Sequence, residues 1–519
     1  MTGFISTLHT PPCLHMKTLL TLPLVLFSAT SMLHAAPLKT GFAERDISPD
    51  IGMERPGGYT KGFHQKFHDA CKARAVVFDD GQKAVAMVGL DALFIMGPQV
   101  AEIRRQIHEK TGIKPEAVLI GASHSHSSGP TGMVLPGQYD HADKLVQRLA
   151  YEESSAADPK YLKRVEKGIV EAVVEAFEKR GDLQIGFGRG REDSVSFNRR
   201  WRMKNGESFT HPRYGNPDAI KPAGPIDPEV GVIGAWDAEG KLKGCVVNFA
   251  CHATASPRGI SANWPWAMEK VIRGAFGGDV IVVFLNGDSG DVTQVDNASP
   301  YARVSGEPDT LKVGGRVGAE AVKVLVGIQA PMRSPEAAID YRDAVLKIPR
   351  RKPSAERSKK CRALVEKGRP KDAAGINDWI WAKEIVMLNA LIKQEPVRDV
   401  EVQTIQVGPA VFITSPAEYF CEFGLQEKKA SKFPFTWPVS LANACMGYVP
   451  TSEAFSPSGG GYETRLTAYS NLIPDAGNQI RDKGIELANS MKPGPVKKPN
   501  PAPPFTGGWR YGSVPPELD

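Results

Sequence analysis

Three things are missing from this sequence of 519 residues, and each absence closes off a class of protein. No apolar run reaches the roughly 20 residues a helix needs to cross a bilayer, so no transmembrane segment is expected, while peripheral contact with a membrane stays open. No two cysteines are spaced Cys-x-x-Cys, which leaves no zinc ribbon or redox motif; scattered Cys71, Cys245, Cys251, Cys361, Cys421 and Cys445 read as small core residues without a disulfide framework. There is also no excess of one charge: 64 basic against 58 acidic residues leave a formal net charge of +6. That balance gives a polyanion nothing to hold unless the charges cluster. The short runs Arg350-Arg351-Lys352 and Lys359 to Arg362 read as solvated helix faces or loops, so no nucleic-acid partner is expected. With 41% hydrophobic and 24% charged residues and no internal repeat, the chain can bury a large core as one extended unit.

The N-terminus has a signal-peptide layout. Lys17 precedes the apolar run Leu19 to Phe27, and the small residues Ala35 and Ala36 follow. Residues 1–36 are therefore expected to be a signal peptide, with Met16 a more natural start than Met1, because the fifteen residues before it carry no charged n-region. The mature protein is expected to be soluble and exported, either secreted or periplasmic. Cys13 precedes the cleavage region, and no other cysteine lies close enough to it to serve as a lipid-anchored first residue.

Strand-like and helix-like segments alternate through most of the rest. Ala73 to Phe78 and Ala84 to Leu90 read as strands, residues 98–111 as an amphipathic helix, and Ala117 to Ile120 as a strand. A longer helical pattern over 159–180 puts Val165, Ile169, Ala172, Val173 and Phe177 on one face. The theme repeats in Gly244 to Phe249, Ala267 to Phe276 and Val280 to Leu285. It returns in Val400 to Val407, Ala410 to Thr414, a helix near 419–430 and a last helix over 476–491. Between these lies a charged, helix-rich insertion at 350–395. The pattern predicts an α/β fold, a mixed-sheet single catalytic domain with helical insertions over 37–491. Residues 492–519 form a Pro/Gly-rich tail with little capacity to bury a core.

Three strands end in groups that can do chemistry. Val118-Leu119-Ile120-Gly121-Ala122 runs into Ser123-His124-Ser125-His126-Ser127-Ser128-Gly129-Pro130. In extended backbone, positions two apart share a face, so His124 and His126 can enter one pocket, one as a metal ligand and the other as a donor behind it or a proton carrier. A hydrogen-bonded loop pair is the plainer alternative. Val246 to Cys251 ends in His252, and Val411 to Thr414 ends at Ser415-Pro416-Ala417-Glu418. Imidazoles and carboxylates at one rim of a sheet are how open α/β folds assemble sites, although a glutamate there also suits the start of the next helix.

These segments resemble the neutral and alkaline, non-lysosomal ceramidases. They are similar to that family's His-Thr-His-Ser-Gly-Pro motif, its strand ending in a zinc histidine, and its Pro-Gly-Glu turn. Gly41-Phe42-Ala43-Glu44-Arg45-Asp46-Ile47-Ser48-Pro49 resembles the start of the catalytic domain, and Gly447-Tyr448-Val449-Pro450-Thr451 with Gly461-Tyr462-Glu463 a later loop. The resemblance covers residues 39 to 491. It implies one Zn2+ per chain held by His124, His252, Glu418 and Tyr448, with Tyr462 hydrogen-bonding the substrate amide. Phe197-Asn198-Arg199-Arg200 resembles an Asn-Arg-Ser segment, which assigns Arg199 to a carbonyl or hydroxyl. Gly290-Asp291-Val292-Thr293 resembles a Gly-Asp-Val-Ser segment whose serine is the assigned nucleophile, which puts Thr293 at that place, and Ser289 offers a nearby hydroxyl. His126 or Tyr448 would move protons.

The implied activity is zinc-dependent hydrolysis of an N-acyl amide bond in a small-molecule or lipid substrate, N-acylsphingosine giving sphingosine and fatty acid. A zinc hydrolase of another amide or an ester on the same scaffold, or a non-catalytic binding protein, are the alternatives. The family's C-terminal β-sandwich domain has no counterpart in residues 492–519.

Overall fold

The computed structural model describes residues 37–370, 377–512 and 514–519; the expected signal segment 1–36 and positions 371–376 of the insertion lie outside them. Three mixed sheets carry the chain, and each contains antiparallel neighbours extended by one parallel strand, a pairing that demands a helical crossover. The first sheet runs Val118–Ala122, Ala84–Leu90, Lys72–Asp79, Lys39–Asp46, Gly181–Asp182. Its parallel pair, Ala84–Leu90 with Val118–Ala122, is bridged by the helix Gly97–Thr111. The second runs Ile281–Asn286, Leu242–Phe249, Glu229–Trp236, Gln184–Arg191, with the helix Trp264–Phe276 between its two parallel strands. The third runs Ile339–Pro349, Val397–Val407, Ala410–Ser415, Phe435–Ser440, with the helix Cys421–Ala430 joining its parallel pair.

The three sheets pack on one another. One apolar cluster takes Val88 and Ile120 from the first, Val283 and Leu285 from the second, and Phe412 and Val439 from the third. A Cβ at Gly89 would lie 2.4 Å from the carbonyl oxygen of Phe284, so the first two sheets meet there backbone to backbone. Asn248 Nδ2 donates to the carbonyls of Leu285 and Pro438, tying the second sheet to the third. Because strands such as Lys72–Asp79 are buried along their whole interior, they read as continuous apolar runs rather than alternating ones.

The helix expected over 159–180 spans Pro159–Glu178, opened by Asp158, whose side chain accepts from the amides of Lys160 and Tyr161, and by proline at its first position. Val165, Ile169, Ala172 and Val173 are buried as the spacing requires. The insertion differs from expectation in its second half. Ala355–Glu366 is largely solvated, but Asp378–Gln394 is a core helix that buries Trp379, Ile380, Ile385 and Leu388, and even Lys383, whose Nζ donates to the Tyr59 carbonyl and Ser154 Oγ. The strand Gln184–Arg191 was illegible by pattern for a physical reason: its glycines carry no β signal, yet Gly186 and Gly188 leave the space that Ile328 and Val324 fill.

The tail begins by docking, Gln406 Nε2 donating to the Lys492 carbonyl and the Gly494 amide to that of Gly408; the described residues from 495 onward are exposed. Among the described residues six cysteines are free thiols, five of them buried. No described helix is long and apolar enough to cross a membrane.

Candidate metal centre

His124, His252 and Glu418 come together from the ends of three strands, one in each sheet, and are buried. Their ligating atoms lie within 4.8 Å of one another. His124 Nδ1 is 2.9 Å from the Leu93 carbonyl, and His252 Nδ1 is 2.6 Å from the Ser289 carbonyl. A carbonyl only accepts, so each Nδ1 carries the proton and each Nε2 presents a lone pair. Both lone pairs face the same oxygen, Glu418 Oε2, at 3.1 and 3.0 Å. Burial, aided by the Arg199 charge, pushes His252 down to about 4, so its ring is neutral. Burial opposes ionisation of Glu418 as well, while the two imidazoles act the other way, since a proton on either Nε2 would pair with the carboxylate, and the carboxyl is held well below its ordinary range. Three electron-rich atoms thus face one another in a buried space, an arrangement that a divalent cation taking imidazole and carboxylate ligands relieves.

The two histidines of Ser123-His124-Ser125-His126 do converge, though not by the alternation expected of a strand. The strand ends at Ala122, and His124 has φ 66°, in the left-handed region. The turn brings the rings edge to face at 4.7 Å, with His126 Nε2 3.2 Å from His124 Nε2. Burial, reinforced by the neighbouring histidines, holds His126 well below its ordinary value, hence neutral. Glu418 does not cap the next helix, which begins at Cys421. It pairs in a short parallel ribbon, residue for residue, with Tyr448. Gly447 makes that ribbon possible, since it has φ 74° and a Cβ there would lie 2.2 Å from the Tyr469 carbonyl oxygen.

Around the cluster, Tyr448 Oη is 3.5 Å from His252 Nε2, and burial raises its pKa well above the ordinary phenol value, so it keeps its proton. Arg199 is buried, not at the surface. Its Nε donates to Glu463 Oε1 at 2.7 Å, Nη1 lies 3.2 Å from His252 Nε2, and Nη2 has no partner among the described residues. Tyr462 packs edge-on against Tyr448 at 5.3 Å between centroids, with its pKa pushed up to about 12 by burial. Gly57, Tyr59, His126, Glu418, Tyr448 and Tyr462 border a cavity of about 30 Å3, room for one water.

No family model and no curated protein matches the chain. Solved structures do. One described as a ceramidase complexed with C2 superposes with TM-score 0.64 at 18% identity, over 90% of this chain and 77% of that one. The crystal structure of neutral ceramidase from Pseudomonas aeruginosa gives TM-score 0.63 at 17% identity, over the same 90% and 77%. The fold is that of the neutral ceramidases.

Within this ceramidase fold the segment Asn286 to Thr293 supports the centre from behind. The carbonyls of Ser289 and Val292 hold His252 Nδ1, and the Gly290 amide donates to the Tyr419 carbonyl; a Cβ at Gly290 would lie 2.4 Å from the Glu418 carbonyl oxygen. Thr293 is buried on the short strand Val292–Thr293, its hydroxyl accepts from the Val295 amide at 3.2 Å, and it does not line the 30 Å3 cavity. Ser289 Oγ accepts from Asn286 Nδ2.

Asp288 in the same segment accepts from Ser415 Oγ at Oδ1, and its Oδ2 has no partner among the described residues. Burial, then repulsion from Asp227 and Asp291, raises its pKa well above the ordinary carboxyl value; Glu427 is raised by burial and by Asp288 itself. An acid raised in the folded state adds stability below its unfolded pKa of about 4 and loses it as pH climbs through the folded value. Asp288→Asn is therefore expected to raise the melting temperature by about 2–4 °C at pH 8 and less at pH 5, checked by thermal unfolding at both; equal shifts would contradict it.

Two contributors were not assigned from sequence. Tyr469 Oη donates to Glu418 Oε1 at 2.7 Å, fixing the carboxylate so that Oε2 faces the imidazoles; nothing local marks this tyrosine. Gly57 has φ 102°, and a Cβ there would lie 2.3 Å from His126 Nδ1. Pro56-Gly57-Gly58 is a legible turn signal, but not one that names its neighbour. Gly57→Ala is expected to displace His126 and cut turnover by about a hundredfold while the metal content stays that of the parent. Loss of the metal along with activity would show that the glycine supports the ligands instead.

Proposed function

We propose that the chain is a zinc-dependent amide hydrolase that cleaves N-acyl amides as a ceramidase does. The observation that carries this is the convergence of two imidazole Nε2 atoms and one carboxylate oxygen beside an arginine nitrogen without a partner among the described residues, in a ceramidase fold. Zinc, when bound by His124, His252 and Glu418 with Tyr448 beside them, would polarise the amide carbonyl and bring the pKa of a water down to about 7.

The chain's own groups supply the rest. Arg199 Nη2 is a buried donor without a partner among the described residues, and Nη1 lies 3.2 Å from His252 Nε2, so the guanidinium can stabilise negative charge developing beside that ligand. Tyr448, protonated and 3.5 Å from His252, donates to the same oxygen or to the leaving nitrogen. His126 is neutral and able to take a proton from water and pass it on. Tyr462 closes the cavity and excludes bulk water.

Attack by water needs no protein nucleophile, which agrees with the Thr293 hydroxyl facing a backbone amide. Thr293→Ala is expected to keep full metal content and lose less than about tenfold in turnover; a loss of several orders of magnitude would restore it as a nucleophile. An ester, or an amide other than ceramide, on the same scaffold is the second reading, favoured by that placement of Thr293. The deciding experiment measures metal content and fatty acid released from a short-chain fluorescent ceramide, before and after chelation. One zinc per chain with chelator-sensitive release supports the ceramidase reading. Zinc without release turns to other amides and esters, and a folded, zinc-free protein favours a binding role.

A further inference from the structure

The space at the metal centre has a polar wall and an apolar one. His124, His126, Glu418 and Tyr448 supply the first, and Leu93, Phe94 and Met133 the second. Gly57 and Gly58 also border it and are exposed, and a Cβ at Gly58 would meet nothing closer than 3.7 Å, so the approach from solvent is on that side. Leu93 and Phe94 are buried and form the inner end.

That inner end is tied to the candidate ligands themselves. The Leu93 carbonyl accepts from His124 Nδ1 at 2.9 Å, and the Phe94 ring stacks at 5.8 Å between centroids on Tyr469, whose Oη donates to Glu418 Oε1. Behind Phe94 the packing is close: a Cβ at Gly132 would lie 3.0 Å from Phe94 Cε2, and Ala122, Leu441 and Cys445 complete the apolar cluster. Across Met133 and Tyr469 the next space measures about 10 Å3, too little for a further methylene. A groove of about 1000 Å3 is bordered by Met96, but none of its residues borders the cavity at the centre. The 30 Å3 cavity therefore ends in an apolar stop with room for about one methyl group. The stop cannot retreat without disturbing the contacts that hold His124 and Glu418.

We propose that the centre selects short acyl groups, acetyl above all, with the acyl methyl against Leu93, Phe94 and Met133 and the amine portion toward Gly57 and Gly58. An apolar stop suits a methyl group, whereas an amine or hydroxyl pressed against those three side chains would lose its hydrogen bonds to water and gain none. The inference rests on the amide-hydrolase reading above and narrows its substrates to N-acetyl compounds. In the reaction a water oxygen bonds to the acetyl carbon and the carbon–nitrogen bond breaks, its electron pair staying with nitrogen. One water proton passes to that nitrogen, leaving acetic acid and a free amine.

The test compares N-acetyl-, N-butanoyl- and N-octanoylethanolamine, one amine carrying three acyl lengths. Ethanolamine release is followed on the full metal-loaded chain, and binding by calorimetry on the chelated chain. In an open apolar groove each added methylene would raise affinity about fourfold. Here kcat/KM and affinity are both expected to fall, by at least about tenfold from acetyl to octanoyl. Phe94→Leu should admit the butanoyl compound and bring its kcat/KM close to that of the acetyl one. Met133→Ala, at a half-buried position, should do the same with less risk to the core. A kcat/KM that is flat or rises with acyl length in the parent, or a profile unmoved in both variants, overturns the proposal. If none of the three is cleaved while the acetyl compound still binds best, the hydrolase reading fails and the short acyl pocket stands; if all are cleaved alike, the reverse holds. Neither cleavage nor binding of the acetyl compound overturns both.

Discussion

His124→Ala is expected to lose the metal and, with it, more than about a thousandfold of the hydrolysis rate, since water at its own pKa of about 15.7 is a far poorer nucleophile than one acidified to about 7. The side chain supplies one of three converging ligand atoms, and its loss leaves Glu418 Oε2 facing His252 alone. Because an ion that binds only the folded state stabilises it, chelation should lower the melting temperature of the parent. The melting temperature of His124→Ala should not respond to chelator. Elemental analysis, fatty-acid release and melting curves with and without chelator check the three statements together. A His124→Ala protein with full activity and metal would sink the assignment of the centre.

Arg199→Met is expected to be the second most damaging change, and for two separable reasons. Arg199 and Glu463 are both buried and joined at 2.7 Å, so removing the guanidinium leaves a buried carboxylate with only Thr210 and a distant Arg200 Nε at 3.9 Å. Breaking a buried pair from one side costs about 3–5 kcal/mol. The same change removes the free Nη2 donor, worth roughly a hundredfold to a thousandfold in turnover if it meets the developing oxyanion. Pairing Arg199→Met with Glu463→Gln separates the two: denaturant unfolding should show most of the stability restored, whereas turnover stays low. Recovery of turnover in the double variant would mean that Arg199 acts only through the fold.

The residues differ in how visible their roles are from sequence. The strands Ala84–Leu90 and Leu242–Phe249 and the helices Gly97–Thr111 and Pro159–Glu178 follow from periodicity, capping and apolar runs, all read within a few residues. Gln184–Arg191 and the burial of Asp378–Gln394 do not, because their partners are supplied by distant segments: Val324 and Ile328 for the first, Tyr59 and Ser154 for the second. At the site, His124, His252 and Glu418 were legible because each follows an apolar strand, and strand ends are where side chains reach a common rim. Thr293 shows the opposite case, a hydroxyl at the right place in a motif whose direction only the fold reveals.

The sequence by itself determined many of the strands and helices, Ala84–Leu90 and Pro159–Glu178 among them, and which polar groups stand at the strand ends, since both depend on the chain's immediate neighbours. The tertiary structure alone decided that the left-handed turn at His124 folds His126 against it, that Gly57 leaves room for that ring, that Tyr469 orients Glu418, and that Arg199 is held by Glu463. These contacts join residues tens to hundreds of positions apart, and no local period encodes a distance through space.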